Sequence, residues 1–161
     1  GPKIDRLAKE GNPEAVRFPK AHMEDAPYDF SFSGLKSAVL NYINGCKMKG
    51  ETYDPADIAA SFQKAVVDVL VEKAMCAAEE FGIYKFAIAG GVASNSALRA
   101  GMEAACKERG IQFYYPSPVL CTDNAAMIGA AAYYEYLAGT RHGWDLNAVP
   151  NLKLGERGRH T

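Results

Sequence analysis

The stretch that decides the fold is Tyr84-Lys-Phe-Ala-Ile-Ala-Gly-Gly-Val-Ala-Ser-Asn-Ser-Ala-Leu-Arg99. A short apolar run leads into two adjacent glycines, which are followed by small polar residues and a helical pattern. That order is typical of a buried strand, a tight turn and a helix. Gly90 and Gly91 allow the backbone to approach a ligand closely, because no side chain intervenes. The free N–H groups at the start of the next helix favour a phosphate or a carboxylate.

Asn95 lies in the predicted first turn of this helix, where its amide could contact a sugar hydroxyl or a carbonyl. The alternative is an ordinary strand-to-helix turn in which Ser94 caps the helix and no ligand binds. The spacing of the residues alone gives these two interpretations equal weight.

A second strand–turn–helix pattern surrounds Asp123. A short apolar run over residues 111–115 precedes a Pro-Ser-Pro turn, and a helix is predicted from Asn124 onward. In a parallel sheet, the helix starts that follow neighbouring strands lie at one edge, where ligands bind. We therefore expect Asn95 and Asp123 at the same edge, although Asp123 could also be a helix N-cap.

Composition indicates one folded domain without a membrane segment. The chain has 161 residues, 48% hydrophobic and 23% charged, and its net charge of −1 neither indicates nor forbids a nucleic-acid partner. The four cysteines form no C-x-x-C pair, and three lie on apolar faces of predicted helices, which favours reduced, buried thiols. With no signal peptide and no run of about 18 apolar residues, we expect a cytoplasmic protein.

Hydrophobic periodicity predicts a mostly helical α/β chain. A short helix ends at Gly11, and a helical segment of about residues 34–81 contains two helices, capped by Ser33 and Asp54. Strands are expected over residues 84–89 and 111–115, with helices over about 94–109 and 124–137. Residues 150–161 are predicted to be a frayed tail, in which Lys153, Arg157 and Arg159 are candidate but disfavoured contacts to nucleic-acid phosphates.

Three motifs together resemble one family: Asp29-Phe-Ser-Phe-Ser-Gly-Leu-Lys36, Gly90-Gly-Val-Ala-Ser-Asn-Ser-Ala-Leu-Arg99 and Cys121-Thr-Asp-Asn-Ala-Ala-Met-Ile128. In order and spacing they are similar to the C-terminal part of the bacterial tRNA threonylcarbamoyladenosine transferases, formerly called O-sialoglycoprotein endopeptidases (glycoproteases). The resemblance extends to about Leu154. It implies part of the C-terminal lobe of an ASKHA fold, the actin-like, RNase-H-like architecture, with few strands.

The resemblance also implies a reaction, the transfer of threonylcarbamoyl from threonylcarbamoyl-AMP to N(6) of the tRNA adenosine 3′ of the anticodon. Asn95 and the turn glycines, Gly90 and Gly91, match substrate or nucleotide positions. Gly1 and Asp5 match residues near the adenylate ribose. The opening Gly-Pro also fits the remnant of a cleaved tag, and the sequence leaves both origins of Gly1 open.

Asp123 matches the family's metal-ligand aspartate, and a carboxylate suits a divalent iron ion or a similar ion such as zinc. The nucleotide ligands implied are ATP and threonylcarbamoyl-AMP. The implied partners are tRNA, a paralogous ASKHA subunit and a small ATPase. No Ser–His or Cys–His constellation supports peptidase chemistry.

The chain departs from the family by lacking its H-x-x-x-H metal pair and its Ser-Gly-Gly-His-Thr loop. The expectation is therefore a C-terminal fragment that is inactive alone. Two alternatives stay open, a non-catalytic ASKHA paralogue that serves as an assembly partner and an ASKHA kinase or ATPase. With only two strands predicted, the isolated fragment is expected to self-associate through apolar surface near Phe86, Ile88, Phe113 and Tyr115.

Overall fold

The computed structural model describes residues 1–20, 28–144, 146, 147 and 150. The chain divides into two compact units, Gly1–Asp123 and Asn124–Thr161. The described part is mostly helical with a small parallel sheet, which confirms the predicted fold class.

The first unit contains four helices and two strands among its described residues. In chain order they are α1 (Pro2–Ala8), α2 (Ser33–Lys49), α3 (Pro55–Glu80), β1 (Lys85–Ala87), α4 (Ser96–Glu108) and β2 (Gln112–Tyr114). Short 3-10 turns at Gly91–Ser94 and Pro118–Leu120 follow the two strands. The strands pair in parallel with Phe86 opposite Phe113, so α4 is the crossover helix between them.

Helix α3 is the longest element, and its start is set by local sequence. The Asp54 carboxylate accepts a hydrogen bond from the Ala56 N–H at 2.7 Å, and Pro55 fills the first helical position. At its end, Gly82 takes the left-handed conformation with a φ of 61°. Both ends were predicted from these residues. The 26 residues give a strut of about 39 Å at about 1.5 Å per residue.

The main core lies where α3 and α4 pack together and against one face of the sheet. Cys106 is completely buried, and burial raises the pKa of its thiol, so it packs as a small neutral group. The buried members of this core are Met75, Ala78, Leu98, Met102, Cys106 and Ile111.

The sheet is shorter and better covered than expected. Each strand has three residues rather than five or six. Phe86, Ile88 and Phe113 are half-buried against the main core, so the prediction that they form open surface is wrong. Tyr115, by contrast, is exposed. The outer face of the strands also remains open, with Tyr114 52% exposed.

Gly11 does not end α1, which stops at Ala8, but it has a specific packing role. A Cβ atom at this position would lie only 2.1 Å from the carbonyl oxygen of Ala56 in the first turn of α3. The adjacent backbone is tied to the same helix, because the Asn12 N–H donates to Asp57 Oδ1 at 2.7 Å and the Val16 N–H donates to Ser61 Oγ at 3.1 Å. The glycine therefore permits a close backbone approach to α3.

Two details of the local predictions are wrong. Ser33 is the first residue of α2 rather than its cap, and Phe32 occupies the N-cap without a side-chain bond. Of the three cysteines on helices, Cys46 and Cys106 are buried as expected, but Cys76 is exposed. Cys121, which lies in the loop after β2, is also buried, and all four thiols are free. The aliphatic periodicity of a helix gives its buried face only approximately.

In the second unit, α5 spans Ala125–Leu137. The Asn124 side chain accepts a hydrogen bond from the Met127 N–H at 2.9 Å and caps this helix. The Arg141 guanidinium lies 3.8 Å from the Tyr136 ring centroid. Across the described parts of both units, no helix is long and apolar enough to cross a membrane.

Candidate nucleotide-binding site

The turn after β1 is built around Gly90. Its φ of 83° and ψ of 177° are accessible to glycine and strained for other residues. Gly91 opens the 3-10 turn, and a Cβ at either glycine would have no atom within 4 Å, so the backbone here faces open space. This geometry is that of a turn which a ligand could approach closely.

Asn95 caps α4, so the assignment of that role to Ser94 is wrong. The Asn95 Oδ1 accepts a hydrogen bond from the Leu98 N–H at 2.8 Å. Because a backbone N–H can only donate, this bond fixes which end of the amide faces the helix. The Asn95 Nδ2 group must therefore face away from α4.

The Asp5 carboxylate lies against the start of α4, at the position where a ligand anion was expected. Its Oδ1 accepts hydrogen bonds from the Ser96 N–H at 3.3 Å, from the Ser96 hydroxyl at 2.9 Å and from Asn95 Nδ2 at 3.1 Å. The helix N-terminus favours this negative charge. Among the described residues, the second oxygen, Oδ2, accepts no hydrogen bond and forms one ion pair, with Lys9 Nζ at 4.0 Å.

Gln63 is the fourth member of this network, and sequence analysis missed it. Its Oε1 accepts a hydrogen bond from Asn95 Nδ2 at 2.7 Å, across 32 residues of sequence. It lies on α3, and no sequence motif marks it. Asp5, Gln63, Asn95 and Ser96 thus join α1, α3 and α4 at one point, although only Asp5 and Asn95 were predicted.

Two cavities share Ile4 and Phe62, the sequence neighbours of Asp5 and Gln63, as lining residues, and members of the network line the smaller of the two. The smaller, of about 100 Å³, has a polar end formed by Gly1, Gln63 and Asn95 and is otherwise lined by Ile4, Phe62, Val66, Val67, Leu70, Val92 and Leu98. The larger, of about 570 Å³, is lined by Ile4, Lys36, Val39, Leu40, Ile43, Tyr53, Pro55, Ile58, Ala59 and Phe62. Apolar cavities with a few convergent polar groups are typical ligand sites.

Arg99 ties the turn after β1 to the loop after β2. Its Nε donates to the Ala93 carbonyl, and its Nη2 donates to the Pro116 carbonyl at 2.9 Å and to Cys121 Sγ at 3.3 Å. Its guanidinium also lies 4.5 Å from the centroid of the Tyr115 ring. The two loops therefore lie at the same sheet edge, as predicted for Asn95 and Asp123.

Asp123 follows this braced loop by two residues, and its side chain is exposed. Asn124 is the cap of α5, so the alternative of Asp123 as an N-cap is wrong. Within the described part of the chain, the Asp123 carboxylate makes no hydrogen bond or ion pair, so its oxygens remain available to a hard cation. The described residues contain no group of three or more potential metal ligands. Asp123 is therefore suitable as one ligand of a metal site that requires further ligands.

The candidate tRNA contacts Lys153, Arg157 and Arg159 lie outside the described residues, as does most of the predicted tail. Gly1 lies in the described part, where it precedes α1 and lines the smaller cavity with Asn95.

Comparisons with known proteins give a consistent family. The profile of the family "TsaD: tRNA N6-adenosine threonylcarbamoyltransferase" matches residues 1–130. Relatives named tRNA N6-adenosine threonylcarbamoyltransferase from Clostridium botulinum and Clostridium perfringens are each 59% identical over 157 residues, or 98% of this chain. The relative from Clostridium beijerinckii is 58% identical. The chain spans 46% of the length of each of these relatives.

Among solved structures, that of HypF from T. kodakarensis is similar, with a TM-score of 0.61 and 24% sequence identity. The match covers 85% of this chain and 17% of the HypF chain. At that identity, the similarity concerns the fold alone.

Proposed function

Because this chain belongs to the TsaD family of tRNA N6-adenosine threonylcarbamoyltransferases, we propose that it is the C-terminal part of an enzyme that transfers threonylcarbamoyl to tRNA. The donor is threonylcarbamoyl-AMP, and the acceptor is N(6) of the adenosine 3′ of the anticodon. The chain binds the adenylate and is inactive alone, because the remaining catalytic groups lie outside it.

The observation that carries this proposal is the network of Asp5, Asn95 and Gln63 beside the glycine turn. Residues that are 90 positions apart in sequence, Asp5 and Asn95, meet at a hydrogen-bond distance of 3.1 Å. They are the residues that the family resemblance assigned to the nucleotide. Asn95 and Gln63 line the smaller cavity, which offers apolar surface for a base.

The residues of this chain bind and orient the adenylate. Asp5 Oδ2 is available to accept hydrogen bonds from ribose hydroxyls, since Oδ1 is occupied by α4. The open backbone at Gly90 and Gly91 allows close approach of the adenylate, and Asn95 fixes the geometry of the turn. Holding the carbonyl carbon of the donor near the N(6) amine of the tRNA adenosine supplies rate through positioning. The amine forms the new C–N bond and loses a proton to water, and AMP departs with the electron pair of the broken C–O bond.

We also propose that Asp123 is one ligand of a divalent metal, iron or zinc, completed by residues outside this chain. When bound, the metal would polarise the threonylcarbamoyl carbonyl. The partners proposed are tRNA, a paralogous ASKHA subunit and a small ATPase, and the proposed compartment is the cytoplasm.

Two alternative functions can be distinguished from this one by the sequence of the full-length protein. A non-catalytic ASKHA paralogue and an ASKHA kinase or ATPase would share the fold, and the HypF similarity does not discriminate among them. An H-x-x-x-H pair upstream in the parent reading frame would favour the transferase, because two histidines one helical turn apart can bind one metal with Asp123.

The adenylate site is tested by Asn95→Ala in the full-length enzyme. We expect ATP affinity measured by calorimetry to fall about fivefold to a hundredfold, because the half-buried hydrogen bonds that hold Asp5 and Gln63 in place, worth about 1–3 kcal/mol, are lost. The substitution also removes a helix cap worth about 1 kcal/mol. Asn95→Ser separates the two effects, since serine keeps the cap but has no amide. Unchanged ATP affinity in both variants would mean that the turn is purely structural.

The isolated chain is expected to self-associate, because Tyr114 and Tyr115 leave aromatic surface exposed at a short sheet whose edges can pair. Sedimentation equilibrium at micromolar concentration checks this expectation. A compact monomer that binds no hydrophobic dye would contradict it, because the chain would then bury its apolar surface without a partner.

A further inference from the structure

The hydrogen bonds around Asn95 determine the orientation of Gln63. The Leu98 N–H fixes the Asn95 oxygen toward α4, so Asn95 Nδ2 donates to Gln63. The Gln63 atom that accepts this bond must be Oε1, because an amide nitrogen has no lone pair to accept it. The Gln63 Nε2 group, with two N–H donors, therefore takes no part in the hydrogen bond with Asn95.

The leftover amide group has no partner within the described residues. Gln63 makes a single hydrogen bond there, through Oε1, and its side chain is half-buried. It belongs to the polar end of the smaller cavity, beside Gly1 and Asn95. The rest of that lining is aliphatic or aromatic. An amide donor in the lining of this cavity can orient a ligand whose other contacts with the lining are apolar.

We propose that Gln63 contacts the nucleotide directly, with Nε2 donating a hydrogen bond to a ring nitrogen of the purine base. This inference rests on the proposed adenylate site and adds to it a residue that discriminates among bases. A planar ring suits the apolar lining, and the ring nitrogens of adenine are hydrogen-bond acceptors. The hydrogen bond to Asn95 holds the donor in place before the ligand arrives, so little side-chain entropy is lost on binding.

A purely positioning role makes a different prediction. In that case Gln63 serves only as the acceptor that orients Asn95, and any side chain with an oxygen at the same place would suffice. Gln63→Glu keeps the shape and the acceptor but has no N–H donor. Gln63→Met keeps the approximate shape and has neither group. The two variants therefore separate contact with the base from positioning.

The experiment is calorimetric titration of the full-length enzyme with ATP, for the wild type, Gln63→Met, Gln63→Glu, Asn95→Ser and the control Gln112→Met. Gln112 lies on the exposed face of β2, so its replacement should leave the affinity unchanged. We expect Gln63→Met to weaken ATP binding about tenfold. Gln63→Glu should weaken it at least as much, because the donor is replaced by a charged acceptor.

Wild-type affinity in Gln63→Glu together with a loss in Gln63→Met would assign a positioning role and overturn the proposal, as would unchanged affinity in both variants. If Asn95→Ser weakens binding and the Gln63 variants do not, the adenylate site stands and only this inference fails. If the wild type itself does not bind ATP, both fail.

The wild-type enzyme provides a second measurement that does not depend on the variants folding. It is titrated with 1-deaza-, 3-deaza- and 7-deaza-ATP, each of which lacks one ring nitrogen. One of the three should bind about tenfold more weakly than ATP. In Gln63→Met that difference should vanish, because the donor and the acceptor form one coupled pair. Equal binding of ATP and all three analogues would overturn the proposal.

Discussion

Replacing Asp123 by alanine in the full-length enzyme is expected to abolish threonylcarbamoyl transfer while leaving the melting temperature unchanged. The carboxylate is exposed and has no hydrogen-bond or ion-pair partner in the described part of the chain, so the fold loses little. The loss of transfer should exceed the about 10–100-fold cost of removing an outer-sphere partner of a metal, since Asp123 is proposed as a direct ligand.

Two measurements accompany the transfer assay for Asp123→Ala. Elemental analysis of the purified enzyme should show that bound iron or zinc is lost, and thermal unfolding should match the wild type. Glu103→Ala is the matched control, because Glu103 is an exposed acid on α4 that makes no hydrogen bond or ion pair within the described residues. Full transfer activity in Asp123→Ala would refute the ligand role.

The second large effect concerns stability rather than chemistry. Gly11→Ala is expected to lower the free energy of unfolding by about 3 kcal/mol or more, because the new methyl group would overlap backbone and not a flexible side chain. The nearest atoms, at 2.1 and 2.2 Å, are the carbonyl oxygen and carbon of Ala56. Relief of the clash requires residues 11–16 to move off α3, which strains their bonds to Asp57 and Ser61.

Gly45→Ala is the matched control for this substitution. Gly45 lies inside α2, where a Cβ atom would meet nothing within 4 Å. Alanine should therefore stabilise the protein by about 0.5–1 kcal/mol through helix propensity. Urea unfolding of the chain and both variants measures the difference. If Gly11→Ala were as stable as the wild type, the close approach to α3 would not be required.

The local features of the fold could be predicted because they depend on neighbouring residues. The cap and the proline at Asp54 and Pro55 determine the start of α3, and the left-handed glycine at position 82 determines its end. The glycine turn after β1 and the loop before Asp123 were likewise predicted from short patterns. Helix ends still shifted by one or two residues, since Asn95 and not Ser94 provides the better cap for α4.

The network at the candidate site could not be predicted in full, because it depends on tertiary contacts. Family resemblance identified Asp5 and Asn95 but not the bond between them. Gln63 lies in no motif, and Ser96 lies in one that gives it no role, so their roles arise only where α1, α3 and α4 meet. Similarly, the cover over Phe86 and Phe113 comes from side chains of α3 and α4, whose packing a strand pattern does not reveal.

The central claim is that this chain is one part of a threonylcarbamoyltransferase and needs the rest of the enzyme for chemistry. The direct test incubates unmodified tRNA and threonylcarbamoyl-AMP with the full-length enzyme and its partners, or with this chain and the same partners, at equal concentration. Nucleoside analysis by mass spectrometry then measures the modified adenosine. We expect threonylcarbamoyladenosine from the full-length enzyme and none above background from the chain. Threonylcarbamoyladenosine formed by the chain, or none formed by the full-length enzyme, would contradict the central claim.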